Sequence, residues 1–247
     1  MSTVQLKFLG CGDAFGSGGR FQSCILGKTE TCKFLVDCGA SSLVAMRQRG
    51  IDPNDIGIIL ISNFHGDHFG GLPYFLLDAQ LVSRRIRGLM VAGPSGLRKK
   101  LREVMEATFP GSSKIKGKFP LNVEELSLGC PCWFGPLHVR AFAAEHPPED
   151  PHVHLRIECS GKVIVYSGDT EWTETLERIS RDADLLVTEA YFYEKKIKFH
   201  MDFRTLSQRV AKGGVPRVVI THMSEEMLAR RGDSGFECAD DGKVIEV

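Results

Sequence analysis

The stretch NFHGDHFGGLP, residues 63–73, closely follows an apolar run at residues 57–61. His65, Asp67 and His68 fall within four consecutive positions of it. A loop leaving the end of a strand would present these side chains together, because strand ends are where α/β sheets build their sites. Two imidazoles and a carboxylate in such a loop favour a metal site over coincidence.

Further donors follow predicted strands farther along the chain. They are His146 after residues 137–143, Asp169 after residues 163–166 and His222 after residues 218–221. Donors at the ends of four strands predict a polar cup at one edge of the sheets. His152 and His154, which flank a proline-rich loop, are alternatives to His146.

Strand and helix patterns recur in both halves of the chain. β-branched and apolar runs predict strands at residues 4–9, 23–26, 33–36, 58–61, 137–143, 155–159, 163–166, 185–188 and 218–221. Helical periodicity and capping residues predict helices at residues 41–49, 72–82, 96–107, 173–179, 203–212 and 223–230. Since no Pro-, Gly- or Ser-rich linker divides the chain, we expect one domain over residues 1–247, with two sheets packed face to face and helices outside.

Composition excludes several classes of protein. The 31 basic and 31 acidic residues balance, which argues against a binder of long nucleic-acid duplexes. The first residues lack the features of a signal peptide, and no apolar stretch approaches the ~20 residues of a membrane-spanning helix. The 8 cysteines form no disulfide framework, and Cys130-Pro131-Cys132 is interpreted as a turn rather than a zinc site. We therefore expect a cytoplasmic protein that does not contact membranes.

Five segments, read in order, resemble the metallo-β-lactamase fold superfamily and especially its ribonuclease Z-like phosphodiesterase branch. They are NFHGDHFGGLP, EHP, YSGDT, TEAYFYEKKIKFH and ITHMS. The opening LGCGDAFGSGG and the segment FLVDCGASS are also similar to that branch, with Asp37 in a position that supports the metal ligands. The resemblance covers nearly the whole chain and implies an α/β fold, a four-layer αββα sandwich of two mixed sheets.

The resemblance also implies a two-metal site, with zinc preferred and manganese or iron as alternatives. The first metal would be held by position 63, His65 and His146, the second by Asp67, His68 and His222, and Asp169 would bridge both. Imidazoles suit zinc, and carboxylates bridge two cations. A metal-bound water would attack a phosphorus or carbonyl centre, and we count Asp67 among the catalytic residues as well.

His200 matches an additional active-site histidine of the phosphodiesterase branch, where it contacts the phosphoryl group or protonates the leaving oxygen. A surface histidine after the basic run at residues 195–198 is an equally open interpretation. By the same resemblance Glu189 would orient His200. Ribonuclease Z has a histidine directly before that glutamate, whereas this chain has Thr188, so the proton-transfer arrangement need not be identical.

Position 63 departs from the pattern, because the chain has Asn63 where an imidazole is expected. An amide oxygen is a poorer ligand for zinc, so occupancy of the first metal position should fall. Three explanations stay open: tuning toward one metal or a harder metal, loss of catalysis, and an engineered substitution. We favour a retained hydrolase with one or two divalent ions, because the other donors survive together.

The substrate is expected to be small. Ribonuclease Z inserts a long tRNA-gripping arm between the positions of His146 and Asp169, but only 22 residues separate them here. Small or cyclic nucleotide-type phosphodiesters therefore fit best. The alternatives are a carboxylic ester, lactone or thioester hydrolase, and a metal-binding or regulatory domain impaired by Asn63. Residues 16–20 could bind a phosphate or form a simple turn, and a homodimer is possible because many relatives are dimers.

Overall fold

The computed structural model describes residues 3–147, 149–215 and 217–247, and this part of the chain forms two seven-stranded sheets. The first sheet has the order β14-β1-β2-β3-β4-β5-β6. Its strands are β1 (Gln5–Gly10), β2 (Cys24–Lys28), β3 (Lys33–Val36), β4 (Ile58–Leu60), β5 (Leu89–Gly93), β6 (Leu121–Glu125) and β14 (Val244–Glu246).

The second sheet has the order β13-β12-β11-β10-β9-β8-β7. Its strands are β7 (Pro131–Phe134), β8 (Leu137–Ala143), β9 (Val153–Cys159), β10 (Lys162–Tyr166), β11 (Leu185–Glu189), β12 (Val218–Thr221) and β13 (Glu237–Cys238). Both sheets are mixed. Antiparallel hairpins start each of them, and β4–β6 and β11–β13 add in parallel because helices connect them, whereas β14 pairs antiparallel with β1.

Seven α-helices occur in the described residues, and all but the single turn α2 cover the outer faces of the sheets. They are α1 (Ser42–Gln48), α2 (Gly66–Phe69), α3 (Leu72–Leu81), α4 (Leu97–Thr108), α5 (Glu174–Ser180), α6 (Phe203–Gly213) and α7 (Glu225–Ala229). Phe75 of α3 and Leu101 of α4 pack on the first sheet, and Leu176 of α5 and Leu206 of α6 pack on the second.

A central core lies between the two sheets. Strand β8 contributes to this core with every second residue, because the side chains of Leu137, Val139 and Ala141 point toward the other sheet. They meet Phe8 and Leu60 of the first sheet in one apolar cluster. Burying a side chain of this kind stabilises a fold by about 1.5–3 kcal/mol. The predicted four-layer αββα sandwich with two mixed sheets is therefore confirmed.

Two details of the sequence-based prediction were wrong. Residues 130–132 do not form an isolated turn, because Pro131 and Cys132 begin β7, an edge strand where a proline is tolerated. Strand β5 was not predicted, because it has only five residues and the helical periodicity of α4 begins soon after it. No helix in the described ranges combines the length and apolar character needed to cross a bilayer.

Candidate metal centre

The first group of donors lies on the loop that leaves β4. His65 precedes the one-turn helix α2, which carries Asp67 and His68. The loop packs directly on residues after β3, where the Cys38 amide donates to the carbonyl oxygen of His68 over 2.7 Å. A Cβ at Gly39 would lie 2.2 Å from the carbonyl oxygen of Asp67, so only glycine permits this contact.

The second group comes from the other sheet. Asp169 follows β10 and His222 follows β12, so both stand at strand ends, as the sequence predicted. His222 has a positive φ of 54°, a backbone conformation that is held by its amide donating to the carbonyl oxygen of Cys11 over 3.0 Å. Strained backbone of this kind is typical of functional positions.

Four of these residues converge in a buried cluster: Asp67, His68, Asp169 and His222 each bring one donor atom within 4.8 Å of the others. His68 Nε2 lies 3.3 Å from Asp67 Oδ2 and 3.1 Å from Asp169 Oδ1. His222 Nε2 lies 3.1 Å from Asp67 Oδ2 and 3.6 Å from Asp169 Oδ1. Ligands in a tetrahedral zinc site are about 3.3 Å apart, so the spacing fits a metal ion.

Asp37 supports this cluster from behind. Its Oδ2 lies 2.7 Å from His68 Nδ1 and accepts hydrogen bonds from the hydroxyl groups of Tyr166 and Ser62 over 2.8 and 2.9 Å. A bond to Nδ1 directs Nε2 of the same ring toward Asp67 and Asp169. Carboxylates of this kind orient histidine ligands in metal sites and raise their basicity.

A second set of donors contains His65, His146 and His152, whose ring nitrogens lie within 4.8 Å of one another. From the sequence, His152 was predicted only as an alternative to His146. The structure instead places the two rings side by side, with centroids 3.7 Å apart. Asn63 is fully buried, and its amide oxygen accepts the backbone N–H of His65 over 2.9 Å. Asn63 therefore shapes the loop.

His200 lies at the rim of the cluster, beside Glu189 at the end of β11. Its Nδ1 is 2.9 Å from Glu189 Oε2, and the other oxygen of that carboxylate accepts the Thr170 amide over 2.6 Å. His200 also brings one donor atom within 4.8 Å of His146 and Asp169. The predicted pairing of Glu189 with His200 is thus present, but Thr188 faces away, its hydroxyl donating to the Glu189 carbonyl oxygen over 3.3 Å.

Electrostatics indicate that the buried cluster attracts positive charge. Burial alone would lower the pKa of His222, but Asp169 and Asp67 outweigh it and raise the pKa to about 9. The same carboxylates, with Asp37, raise the pKa of His68 well above its usual value against the effect of burial. Both aspartates are held ionised despite their burial, and their pKa values are lowered by the two histidines. The carboxylates therefore favour positive charge here, and a divalent cation that binds would displace the protons of the two imidazoles.

The three-histidine set has the opposite character. Burial lowers the pKa of His146 to about 4 and that of His152 to about 3, so both rings are neutral at pH 7. Neither ring nitrogen of His146 or His152 has a hydrogen-bond partner within the described residues. Neutral, unpaired imidazole nitrogens are the state in which histidine binds a metal, so the residues present fit a metal ion at this position too.

The glycine-rich residues 16–20 do not offer an open phosphate site. They form a short 3₁₀ turn in which the Gly18 amide donates to Glu225 over 2.6 Å. The guanidinium of Arg20 bonds to Asp240 over 3.1 Å, and its side chain is largely buried. Since acidic side chains already engage both groups, the interpretation as a turn is the better one.

Comparison with known proteins places the chain among relatives of one fold. A family model described as "Anti-Pycsar protein Apyc1" matches residues 4–239. A ribonuclease Z of Methanosarcina acetivorans is 26% identical over 273 aligned residues, covering 90% of this chain and 88% of that protein. The alignment is longer than the 247 residues of this chain, so the ribonuclease carries insertions.

Two solved structures share the fold over nearly their whole length. The metallo-β-lactamase fold protein YhfI from Bacillus subtilis has a TM-score of 0.80 at 20% identity, covering 99% of this chain and 100% of that chain. Human tRNase Z, short form, has a TM-score of 0.79 at 24% identity, covering 98% of each chain. The resemblance to ribonuclease Z-like proteins of the metallo-β-lactamase fold is confirmed.

Proposed function

Because the chain belongs to the Anti-Pycsar protein Apyc1 family and itself has the metallo-β-lactamase fold, we propose that it is a metal-dependent phosphodiesterase. Its substrates would be small or cyclic nucleotide-type phosphodiesters. The observation that carries this proposal is the convergence of ionised carboxylates and imidazole nitrogens beside the Glu189–His200 pair. A hydrolytic site needs both a place for cations and a proton donor, and these residues provide both.

The proposed ligands are His65 and His146 for a first ion, Asp67, His68 and His222 for a second, and Asp169 between them, with zinc preferred and manganese or iron as alternatives. The Asn63 amide oxygen, which already accepts the His65 backbone N–H, would add only a weak ligand to the first ion. Bound ions would supply a water of lowered pKa and positive charge for the phosphoryl oxygens. Asp67 Oδ2 lies 3.1 Å from His222 Nε2, and the Asp67 carboxylate would also orient the attacking water. Asp37 and Tyr166 hold His68 from behind.

His200 is the proposed proton donor to the leaving oxygen. Glu189 holds Nδ1, so Nε2 lies on the opposite edge of the ring. Burial alone would lower the pKa of His200, but the Glu189 carboxylate outweighs it and raises the pKa above its usual value, which favours the protonated ring. Glu189 is itself anchored by the Thr170 amide and acts as a positioning residue. An alkoxide leaves poorly without a proton, so this pair favours substrates with an alkoxide leaving group, such as phosphodiesters, over thioesters.

The surroundings of the site support a small substrate. Strands β9 and β10 form a paired hairpin that takes up residues 153–166 of the 22 residues between His146 and Asp169. The few remaining residues are too short a segment for a tRNA-gripping arm. A cavity of about 620 Å³ adjoins the site, lined by His146 and His152 together with Leu126, Ala144 and Pro151. Cavities of 300–1,000 Å³ hold small molecules.

The proposed partners follow from this size. We propose a small-molecule phosphodiester or ester as the substrate, with neither a long nucleic-acid duplex nor a membrane surface as partner, and a possible homodimer. The 8 cysteines are all unpaired in the described structure, which is typical of a reducing compartment such as the cytoplasm.

Turnover measurements test the proposal. The purified zinc-loaded protein would be assayed with 3′,5′-cyclic mononucleotides, bis(p-nitrophenyl) phosphate, a precursor tRNA, and a panel of lactones and thioesters. We expect activity on the small phosphodiesters that is lost on chelation and restored by Zn²⁺ or Mn²⁺. Activity confined to the carbonyl panel would replace the proposal with an ester or thioester hydrolase. Bound metal without any turnover would identify a binding domain.

A further inference from the structure

His152 lies close to the candidate metal centre although it belongs to none of the five family-like segments of the sequence. It follows the loop after His146 and directly precedes β9. The residue is 6% exposed, and its ring packs against two other imidazoles, with centroid distances of 3.7 Å to His146 and 4.8 Å to His65. Both of its nitrogens lack a hydrogen-bond partner in the part of the chain that is described. A buried imidazole nitrogen needs a partner, which is either an ordered water or a bound ion where no protein group reaches it.

The backbone explains why His152 stands beside position 63. The amide of Val153, the next residue, donates to the carbonyl oxygen of Ser62 over 2.9 Å. The carbonyl oxygen of His152 itself accepts the Ala144 amide over 3.1 Å. These two bonds fix His152 from both sides and connect it to the residue that directly precedes Asn63.

The side chain of Asn63 is engaged elsewhere. Its oxygen accepts the His65 amide, and its nitrogen donates to the Ser62 hydroxyl over 3.3 Å. An amide oxygen that already accepts a backbone hydrogen bond is a weak ligand for a borderline cation, whereas an unpaired imidazole nitrogen is a strong one. The local chemistry therefore offers a nitrogen ligand from residue 152 in place of one from residue 63.

We infer that His65, His146 and His152 together hold the first metal ion, with His152 replacing the ligand missing at position 63. This inference rests on the proposed metal-dependent function and deepens it. Asp169 completes the set, because it brings an oxygen within 4.8 Å of a donor nitrogen of His146. The chain thereby keeps a complete first metal position despite Asn63, and it does so with a donor from the second sheet.

Metal counting tests the inference without measuring turnover. Metal-free wild type, His152→Ala, Asn63→His/His152→Ala and the control His138→Ala would be loaded with Zn²⁺, desalted and analysed for zinc per chain. His138 is a suitable control because it lies outside the cluster, stacked on Trp133 and bonded to Glu158. We expect two ions in wild type and the control and one in His152→Ala, with the affinity for the first ion lowered at least about 100-fold. The double variant should regain two.

Cobalt provides a second readout. The Co²⁺-loaded His152→Ala variant should absorb less visible light than Co²⁺-loaded wild type, and His138→Ala should absorb as much as wild type. The reason is that the absorption depends on the ligands of each ion. Two ions of unchanged affinity in His152→Ala, or a single ion in both that variant and wild type, would overturn the inference. If His152→Ala bound two ions with unchanged affinity while the wild type hydrolysed cyclic nucleotides, only the role of His152 would be rejected and the proposed function would stand. Should His152→Ala fail to fold, an anomalous difference map of zinc-soaked wild-type crystals would test the inference instead. A zinc peak within coordination distance of His152 would support the inference, and peaks only beyond that distance would reject it.

Discussion

The carboxylate of Asp37 lies 2.7 Å from Nδ1 of His68, in the fully buried layer behind the candidate metal centre. Asp37 has a positive φ of 61°, which its amide stabilises by donating to the carbonyl oxygen of Leu60 over 2.8 Å. The chain therefore accepts a strained backbone in order to aim one carboxylate at one histidine. Tyr166 completes the arrangement by donating its hydroxyl to the same oxygen over 2.8 Å.

Asp37→Asn should weaken metal binding about 10–100-fold, because an amide orients His68 less firmly and does not raise the basicity of the ring. The measurement is a competition for Zn²⁺ against a chromophoric chelator. Tyr166→Phe is the matched variant, since it removes one hydrogen bond to Asp37 and leaves the carboxylate in place. We expect it to have the smaller effect. Equal affinities in Asp37→Asn and wild type would rule out a supporting role.

His200→Gln should lower kcat for cyclic nucleotides by about 10²–10⁴-fold, because their alkoxide leaving group needs a proton. Bis(p-nitrophenyl) phosphate should lose far less, since p-nitrophenolate leaves without protonation. Glu189→Gln should show the same dependence on the leaving group with a smaller loss, as expected of a residue that orients His200. The zinc content of both variants should match wild type. A uniform loss across all substrates would argue against proton donation.

Gly39→Ala should destabilise the metal loop by about 1–3 kcal/mol, because the new Cβ would lie 2.2 Å from the carbonyl oxygen of Asp67. Urea unfolding of the metal-free protein measures the loss, and Zn²⁺ affinity should fall with it. Gly66→Ala is the control from the same loop, since a Cβ there meets nothing within 4 Å in the described structure. If the two variants unfolded alike, packing at Gly39 would not explain the requirement for glycine.

Glu158 gives a pH-dependent contribution to stability, away from the site. Hydrogen bonds from Arg140 first, and from His138 and Arg156, outweigh its partial burial and lower its pKa to about 2. As the pH falls, the Glu158 carboxylate therefore becomes protonated in the unfolded chain at a higher pH than in the folded protein. Ionised Glu158 stabilises the fold above about pH 4.5, and its contribution is lost as the pH falls toward 2.

Glu158→Gln should accordingly reduce the free energy of unfolding by about 1 kcal/mol at pH 7, since the carboxylate is partly exposed. The difference from wild type should shrink below about pH 4.5 and vanish only below about pH 2. Glu103→Gln serves as the comparison, because Glu103 pairs only loosely with Lys99, at 3.8 Å. A constant difference between Glu158→Gln and wild type at all pH values would contradict the lowered pKa.

The sequence predicts the layers of the fold well because periodicity reports burial. Strand β8 alternates apolar and polar residues, and α4 repeats its apolar residues at helical spacing, so both were recognisable. Edge strands were harder. Strands β13 and β14 have two and three residues, too few for an alternating pattern to register.

The candidate site was predictable where each donor follows a strand, as Asp169 and His222 do. His152 as a partner of His146 was not predictable, because both residues belong to one loop and nothing in their spacing reveals that the rings stack. The decisive contact joins Val153 of β9 in the second sheet to Ser62, which follows β4 of the first. Such a pairing depends on how the two halves pack and is invisible to any local pattern.

The donors come from both halves of the molecule: His65, Asp67 and His68 follow the first sheet, and His146, Asp169 and His222 follow strands of the second. An ion bound by both halves acts as a removable cross-link. At a free concentration 100 times its dissociation constant, such an ion adds about 2.7 kcal/mol to the stability of a protein. Starving a cell of zinc would then loosen the two halves, expose the chain to proteases and lower its abundance before any effect on catalysis is considered.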